Sequence, residues 1–283
     1  MRLLVTGVAG MLGRDLVSAA EGSGHDVIGL SRADLDVTDS DAALDAIVAA
    51  APDVVVNCAA WTDVDGAEDA PEAAHAVNGY GAGNVAAAAL RAGAWTIQIS
   101  TDYVFDGAKR EPYVESDPVG PQSVYGSSKL EGERRVAARA PGRHTIVRTS
   151  WLFGAHGPCF PATILRVGRE RDELTVVDDQ VGCPTFTGHL ARALVELASA
   201  APPAGVVHAA GAGSCSWYDL AREVVACADL RCEVKPGTTA DLGRPAPRPA
   251  YSVLGTERGD VAPRLPSWRE GLADYMSLQV GAG

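Results

Sequence analysis

The sequence predicts an α/β protein, an open doubly wound parallel sheet with a smaller C-terminal domain. Three observations carry that expectation. Short apolar runs alternate with Ala-rich helical stretches through the first half of the chain. Runs such as Val54 to Val56 are apolar on both faces, as strands buried between two layers of helix must be. The first run ends directly in a turn rich in glycine.

Taken in order, RLLVT (2–6) is the first strand, and a helix follows from Gly10. DVIGL (26–30) is the second, with a helix from about Ser40, and DVVVN (53–57) is the third, with a long helix running through Leu90. WTIQIS (95–100) is the fourth, then a helix over Tyr125 to Arg139 and the strand HTIVRTS (144–150). Right-handed crossovers between parallel strands would cover both faces of such a sheet. Beyond Trp151 the rhythm loosens, and PGTTADLGRPAPRPAYSVL (236–254) is too rich in Pro for a core element.

Composition narrows the function classes. At 283 residues and 47% apolar, the chain can bury one large core or two unequal ones, and it has no run long enough to span a bilayer. The N-terminus reaches its first glycine at Gly7, too soon for the apolar core of a secretion signal, so a cytoplasmic location without a membrane partner is expected. The net charge of -12 disfavours a nucleic-acid surface, because polyanions are met with excess Lys and Arg. Six scattered cysteines have no metal-ligand spacing, so they are expected to be reduced, and no metal site is predicted.

The turn after the first strand reads Gly7, Val8, Ala9, Gly10, Met11, Leu12, Gly13. A helix N-terminus offers unpaired N–H groups and partial positive charge, and glycines let the backbone come close to a pyrophosphate. The spacing alone is weak in a chain with 31 glycines; its place between first strand and first helix makes it a dinucleotide site. Residues 1–150 are accordingly expected to form an NAD(P)-binding Rossmann domain. Residues 151–283 are expected to be mainly a substrate domain, with one or two segments returning to the first sheet. Where an acidic residue would hold the ribose of NAD, the second strand ends in Ser31 and Arg32, which leans toward NADPH, with Arg32 available to a 2'-phosphate. Asp36 and Val37 follow closely enough to flank the adenine.

Tyr125 and Lys129 stand four apart, on one face of a helix. With three lysines and seven tyrosines in the chain, the expected chance count of Tyr-x-x-x-Lys is about 0.07, so the pair is a strong signal. An ammonium beside a phenol is expected to lower the Tyr pKa toward neutrality and make it a usable acid and base, while the Lys also holds a cofactor ribose. Ligands of parallel sheets sit at the strand carboxyl ends, where Thr101 can hydrogen-bond a reacting carbonyl oxygen.

Glycine turn, strand-end hydroxyl and Tyr-x-x-x-Lys together resemble the extended short-chain dehydrogenase/reductase superfamily. STDYVFDG (100–107), RTSWLFG (148–154), DDQVGCPT (178–185), SWYDLA (216–221) and RPAYSVL (248–254) are similar, in order and spacing, to the dTDP-4-dehydrorhamnose reductase family. The resemblance covers essentially the whole chain. It implies NAD(P)H-dependent reduction of the C4 ketone of dTDP-6-deoxy-L-lyxo-4-hexulose to dTDP-L-rhamnose, the last step of that pathway, with NADPH favoured and NADH left open. It also implies that Tyr125 protonates the C4 oxygen, Lys129 tunes it, and Thr101 hydrogen-bonds it. Ala59, Ala60 and Trp61 would lie beside the cofactor, and Asp102, Tyr103 and Trp151 would line the sugar pocket. Arg248, a planar fork in the Pro-rich segment, is a candidate clamp on the nucleotide phosphates. Tyr251 stands where many relatives have Asn, a local departure. A Mg2+ ion and the choice between monomer and homodimer stay open.

Two rivals remain at this point. One is a dehydratase or epimerase of the same superfamily; its pattern places Asp-Glu after the Thr, whereas here Asp102 precedes Tyr103. The other is a non-catalytic NADP-binding protein resembling the regulatory subunit of methionine adenosyltransferase, which would not require Thr101, Tyr125 and Lys129 together.

Overall fold

The computed structural model describes residues 1–200 and 202–280. β1 (Arg2–Thr6) passes through the glycine turn into α1 (Met11–Gly22), followed by β2 (Asp26–Leu30), α2 (Ser40–Ala50) and β3 (Val54–Asn57). The long helix expected after β3 is broken instead into α3 (Val64–Asp69), α4 (Pro71–His75), one π-helical turn (Ala76–Gly81) and α5 (Ala82–Arg91). Two local causes account for the break. Pro71 lacks an N–H and opens α4 in its first turn. The widened π turn carries the buried Asn78, whose side chain bonds both the amide and the carbonyl of Trp61 and the hydroxyl of Ser128.

β4 (Trp95–Thr101), α6 (Val124–Arg139) and β5 (His144–Thr149) complete the expected series. The helix starts one residue before Tyr125 because the Ser123 hydroxyl accepts the Gly126 amide as an N-cap. The chain then runs through β6 (Leu152–Phe153), α7 (Phe160–Glu170), β7 (Glu173–Val177), β8 (Val181–Gly182), β9 (Thr185–Phe186), α8 (Thr187–Ser199) and β10 (Gly205–His208). It ends with β11 (Cys215–Ser216), α9 (Trp217–Cys227), β12 (Glu233–Gly237), α10 (Thr239–Leu242) and α11 (Trp268–Val280).

The main sheet has the order β10-β5-β4-β3-β1-β2, and every pairing in it is parallel. β10 is the segment that returns from the second half of the chain, and α8, which precedes it, packs on α1 over one face of the sheet through Leu190 and Leu194. On the other face Leu4 and Val55 meet Ile47 of α2 and Val85 of α5. The chain leaves β1 for β2 on one side and then crosses back past β1 to β3 on the other, so a crevice opens above the carboxyl ends of β1 and β3. A separate core, with Ile164, Leu174, Leu220, Val224, Trp268 and Tyr275, holds the C-terminal lobe together around the parallel pair β7 and β12. No helix among the described residues is long and apolar enough to cross a membrane.

The approach of α6 to its neighbours depends on missing side chains. A Cβ on Gly132 would overlap the Asn78 carbonyl oxygen, and one on Gly126 would overlap that of Tyr103. Both obstacles are backbone, so neither can step aside. Gly132→Ala is therefore expected to cost about 1–3 kcal/mol despite the better helix propensity of Ala, read as a lower midpoint in urea unfolding. A neutral or stabilising change would contradict this packing.

Candidate active site

The crevice is the mouth of a cleft of about 1130 Å³ that continues down to the end of β4. At its upper wall, Gly7 has φ +70°, a backbone that only glycine adopts without strain, and a Cβ there would sit 2.7 Å from the Ala59 nitrogen. A Cβ on Gly13 would overlap the Gly7 carbonyl oxygen, so its absence lets α1 start directly beneath the turn. Gly10 is the N-cap of α1 and supplies no side-chain bond, so the first amides of the helix keep their donors for another group. Ala9, Met11 and Leu12 line the cleft beside them.

Arg32, Asp36 and Val37 line the far end, after β2. The Asp36 carboxylate is spent locally on the amide and hydroxyl of Thr38, which hold its pKa below the ordinary carboxylate range. Arg32 is exposed, with no hydrogen bond or ion pair from its guanidinium among the described residues. Ala59, Ala60 and Trp61 form the wall after β3, fixed by the two bonds from Asn78 to the Trp61 backbone. A glycine cradle, an uncapped helix start and a free cation beyond β2 fit a phosphorylated dinucleotide.

At the floor, Thr101, Asp102, Tyr103, Tyr125 and Lys129 all line the same cleft. The Lys129 ammonium donates to the Ile99 carbonyl at 2.6 Å. Burial pulls its pKa down to about 8, against an upward pull from Glu133. Tyr125 corrects the expectation from its spacing: its pKa is pushed up to about 12, chiefly by burial, with hydrogen bonding to Thr101 acting the other way. The phenol is half-buried against the cleft floor while the ammonium is turned to the Ile99 carbonyl, so desolvation outweighs the neighbouring charge. Asp102 is buried with one carboxylate oxygen unpartnered, and desolvation raises its pKa to about 6. Tyr103 meets Tyr125 edge to face, 5.5 Å between ring centroids.

Trp151, at φ +48°, also reaches the cleft, and its ring lies flat on that of Trp217 at 3.6 Å. Trp217 was missed by the sequence reading, although SWYDLA contains it; only the fold brings the start of α9 over Trp151. Arg248 is the predicted site residue that does not line the cleft. Its fork is filled by Asp65 of α3, at 3.0 and 2.9 Å, and Arg244 and the Ala246 amide bind the same carboxylate. The Pro-rich segment is thereby strapped to α3. Among the described residues no group of three or more His, Cys, Asp or Glu could hold a metal; Asp260 pairs with Arg264, and Glu270 caps α11 through Ser267.

These features define a dinucleotide-dependent oxidoreductase of the short-chain dehydrogenase/reductase type. The family model described as RmlD substrate binding domain matches residues 1–280. A dTDP-4-dehydrorhamnose reductase of Streptomyces griseus is 45% identical, over 99% of this chain and 94% of its own. The crystal structure of a dTDP-4-dehydrorhamnose reductase from Clostridium acetobutylicum superposes with a TM-score of 0.93 at 42% identity, covering 99% of both chains. One from Bacillus anthracis, in complex with NADP, gives 0.93 at 35% identity, covering 98% of this chain and 99% of its own. The chain belongs to the RmlD family, that of the dTDP-4-dehydrorhamnose reductases.

The Asp65 strap makes stability depend on acid. Its arginine partners hold the Asp65 pKa well below the ordinary carboxylate range, so its contribution is present above the unfolded pKa near 4 and is lost as pH falls below that. Asp65→Asn is expected to cost about 1–2 kcal/mol at pH 7, with the deficit shrinking as urea unfolding is repeated toward pH 3. A deficit that stays constant across that range would contradict the ion pairing.

Proposed function

We propose that this protein is an NADPH-dependent dTDP-4-dehydrorhamnose reductase, converting the C4 ketone of dTDP-6-deoxy-L-lyxo-4-hexulose to the alcohol of dTDP-L-rhamnose. The observation that carries this reading is the convergence of Thr101, Tyr125 and Lys129 at the floor of the cleft whose upper wall is the glycine cradle. The glycine turn with the start of α1 would hold the pyrophosphate and Arg32 a 2'-phosphate, while Ala59, Ala60 and Trp61 would flank the dinucleotide. When bound, NADPH supplies a hydride to the C4 carbon.

The protein's own groups handle the oxygen. Negative charge develops on O4 as the ketone is reduced, and the Thr101 hydroxyl stabilises it. Tyr125 delivers the proton. A phenol with its pKa near 12 stays protonated at neutral pH, and an alkoxide is more basic than a phenolate, so the transfer runs downhill. The Lys129 ammonium lies one helical turn away and offsets the charge left on the phenolate. Asp102, Tyr103 and Trp151 would face the sugar. Dehydration needs an additional acid and base pair after the Thr, and Tyr103 occupies the second of those places.

Tyr125→Phe is expected to keep its dissociation constant for NADPH, by fluorescence titration, while losing about a hundred- to ten-thousand-fold in kcat. Unchanged turnover would reject the assignment. Because burial leaves the Lys129 pKa near 8, the ammonium is lost as pH rises through that value, so kcat/KM should fall above about pH 8. A profile flat to pH 10 would contradict the role given to Lys129.

A further inference from the structure

The helix face that carries Tyr125 and Lys129 continues to Glu133, one more turn along. All three meet consecutive residues at the end of β4. Tyr125 lies against Thr101, Lys129 donates to the Ile99 carbonyl, and Glu133 accepts from the Ser100 hydroxyl at 2.6 Å. Glu133 is 4% exposed, and such burial of a carboxylate is costly unless it is paired. Its partner is Arg148 of β5, equally buried, which donates to both carboxylate oxygens at 2.8 and 2.7 Å and lies over the ring of Phe105 at 5.1 Å.

A buried pair of this kind contributes little net stability compared with apolar residues of the same volume. Its location suggests another use. Glu133 is the carboxylate whose charge favours the ammonium of Lys129, while Arg148 and the Ser100 hydroxyl keep that carboxylate from turning toward the cleft. We propose that Glu133, one helical turn beyond Lys129 and anchored by Arg148 and Ser100, is a positioning residue for the reaction: it keeps a fixed negative charge beside the lysine that serves Tyr125. The proposal rests on the reductase reading and deepens it.

Of the titratable and charged groups, Glu133 on its own helix and Cys58 after β3 act on Lys129; Tyr125 and Asp102 line the same cleft floor, and Arg148 on β5 and His208 on β10 lie about Glu133. On the other side of α6, His75 of α4 is engaged by Glu131, and Glu68 of α3 accepts the Val124 amide. Glu133 and Arg148 are thus the pair of opposite fixed charges on the sheet side, and removing one at a time should move Lys129 in opposite directions.

The test is the pH profile of kcat/KM for the dTDP-4-keto sugar at saturating NADPH, with the full chain. Glu133→Gln leaves Arg148 uncompensated and should move the alkaline limb down by about one pH unit. Arg148→Gln leaves the carboxylate uncompensated and should move it up, and the double variant should return it toward the wild-type position. A limb that stays in place in either single variant overturns the proposal, as does a shift in the same direction in both. If one single variant fails to fold, the other decides by the sign of its shift. Wild-type protein that does not oxidise NADPH defeats the reductase reading; wild-type turnover with a limb indifferent to Glu133 defeats this inference alone.

Discussion

The arrangement depends on how closely α6 can lie against the end of β4. Two glycines, Gly126 and Gly132, remove the side chains that would strike the backbone of Tyr103 and Asn78. What they admit is a row of polar contacts between the helix and the last three residues of one strand. A parallel sheet presents its carboxyl ends to the ligand, so this row stands at the bottom of the cleft that the glycine turn opens above β1 and β3. Sequence, packing and chemistry meet at that helix face.

The same burial sets the electrostatics. Lys129 and Asp102 are buried and Tyr125 is half-buried, and each is displaced toward its neutral form. For a proton donor this is favourable, because the phenol keeps its proton until the substrate oxygen becomes the stronger base. For the ammonium it is a threat, which the nearby carboxylate of Glu133 opposes. The site therefore balances desolvation against charge, and the spacing of Tyr and Lys alone misjudged which of the two prevails at the phenol.

Much of this was legible in the sequence because it is local. The β and α alternation, the glycine turn, the Tyr125 and Lys129 pair and the strand-end Thr101 are patterns of a few residues each, and the structure brings them to one cleft. What was not legible depends on distant packing. No short pattern says that α8 covers the α1 face of the sheet, that Trp217 stacks on Trp151, or that Asp65 of α3 claims the fork of Arg248. The break in the helix after β3 had one visible sign, Pro71. The π turn had none, since Asn78 turns inward for Trp61 and Ser128, partners from two other segments.

The measurement that bears most directly on this account is the stoichiometry of the reaction: NADPH consumed, followed by absorbance, against dTDP-L-rhamnose formed from the dTDP-4-keto sugar by the purified protein. One NADPH oxidised for each rhamnose unit formed, and none without the ketone, is the result predicted. Loss of water or inversion of the sugar with no net consumption of NADPH would contradict it.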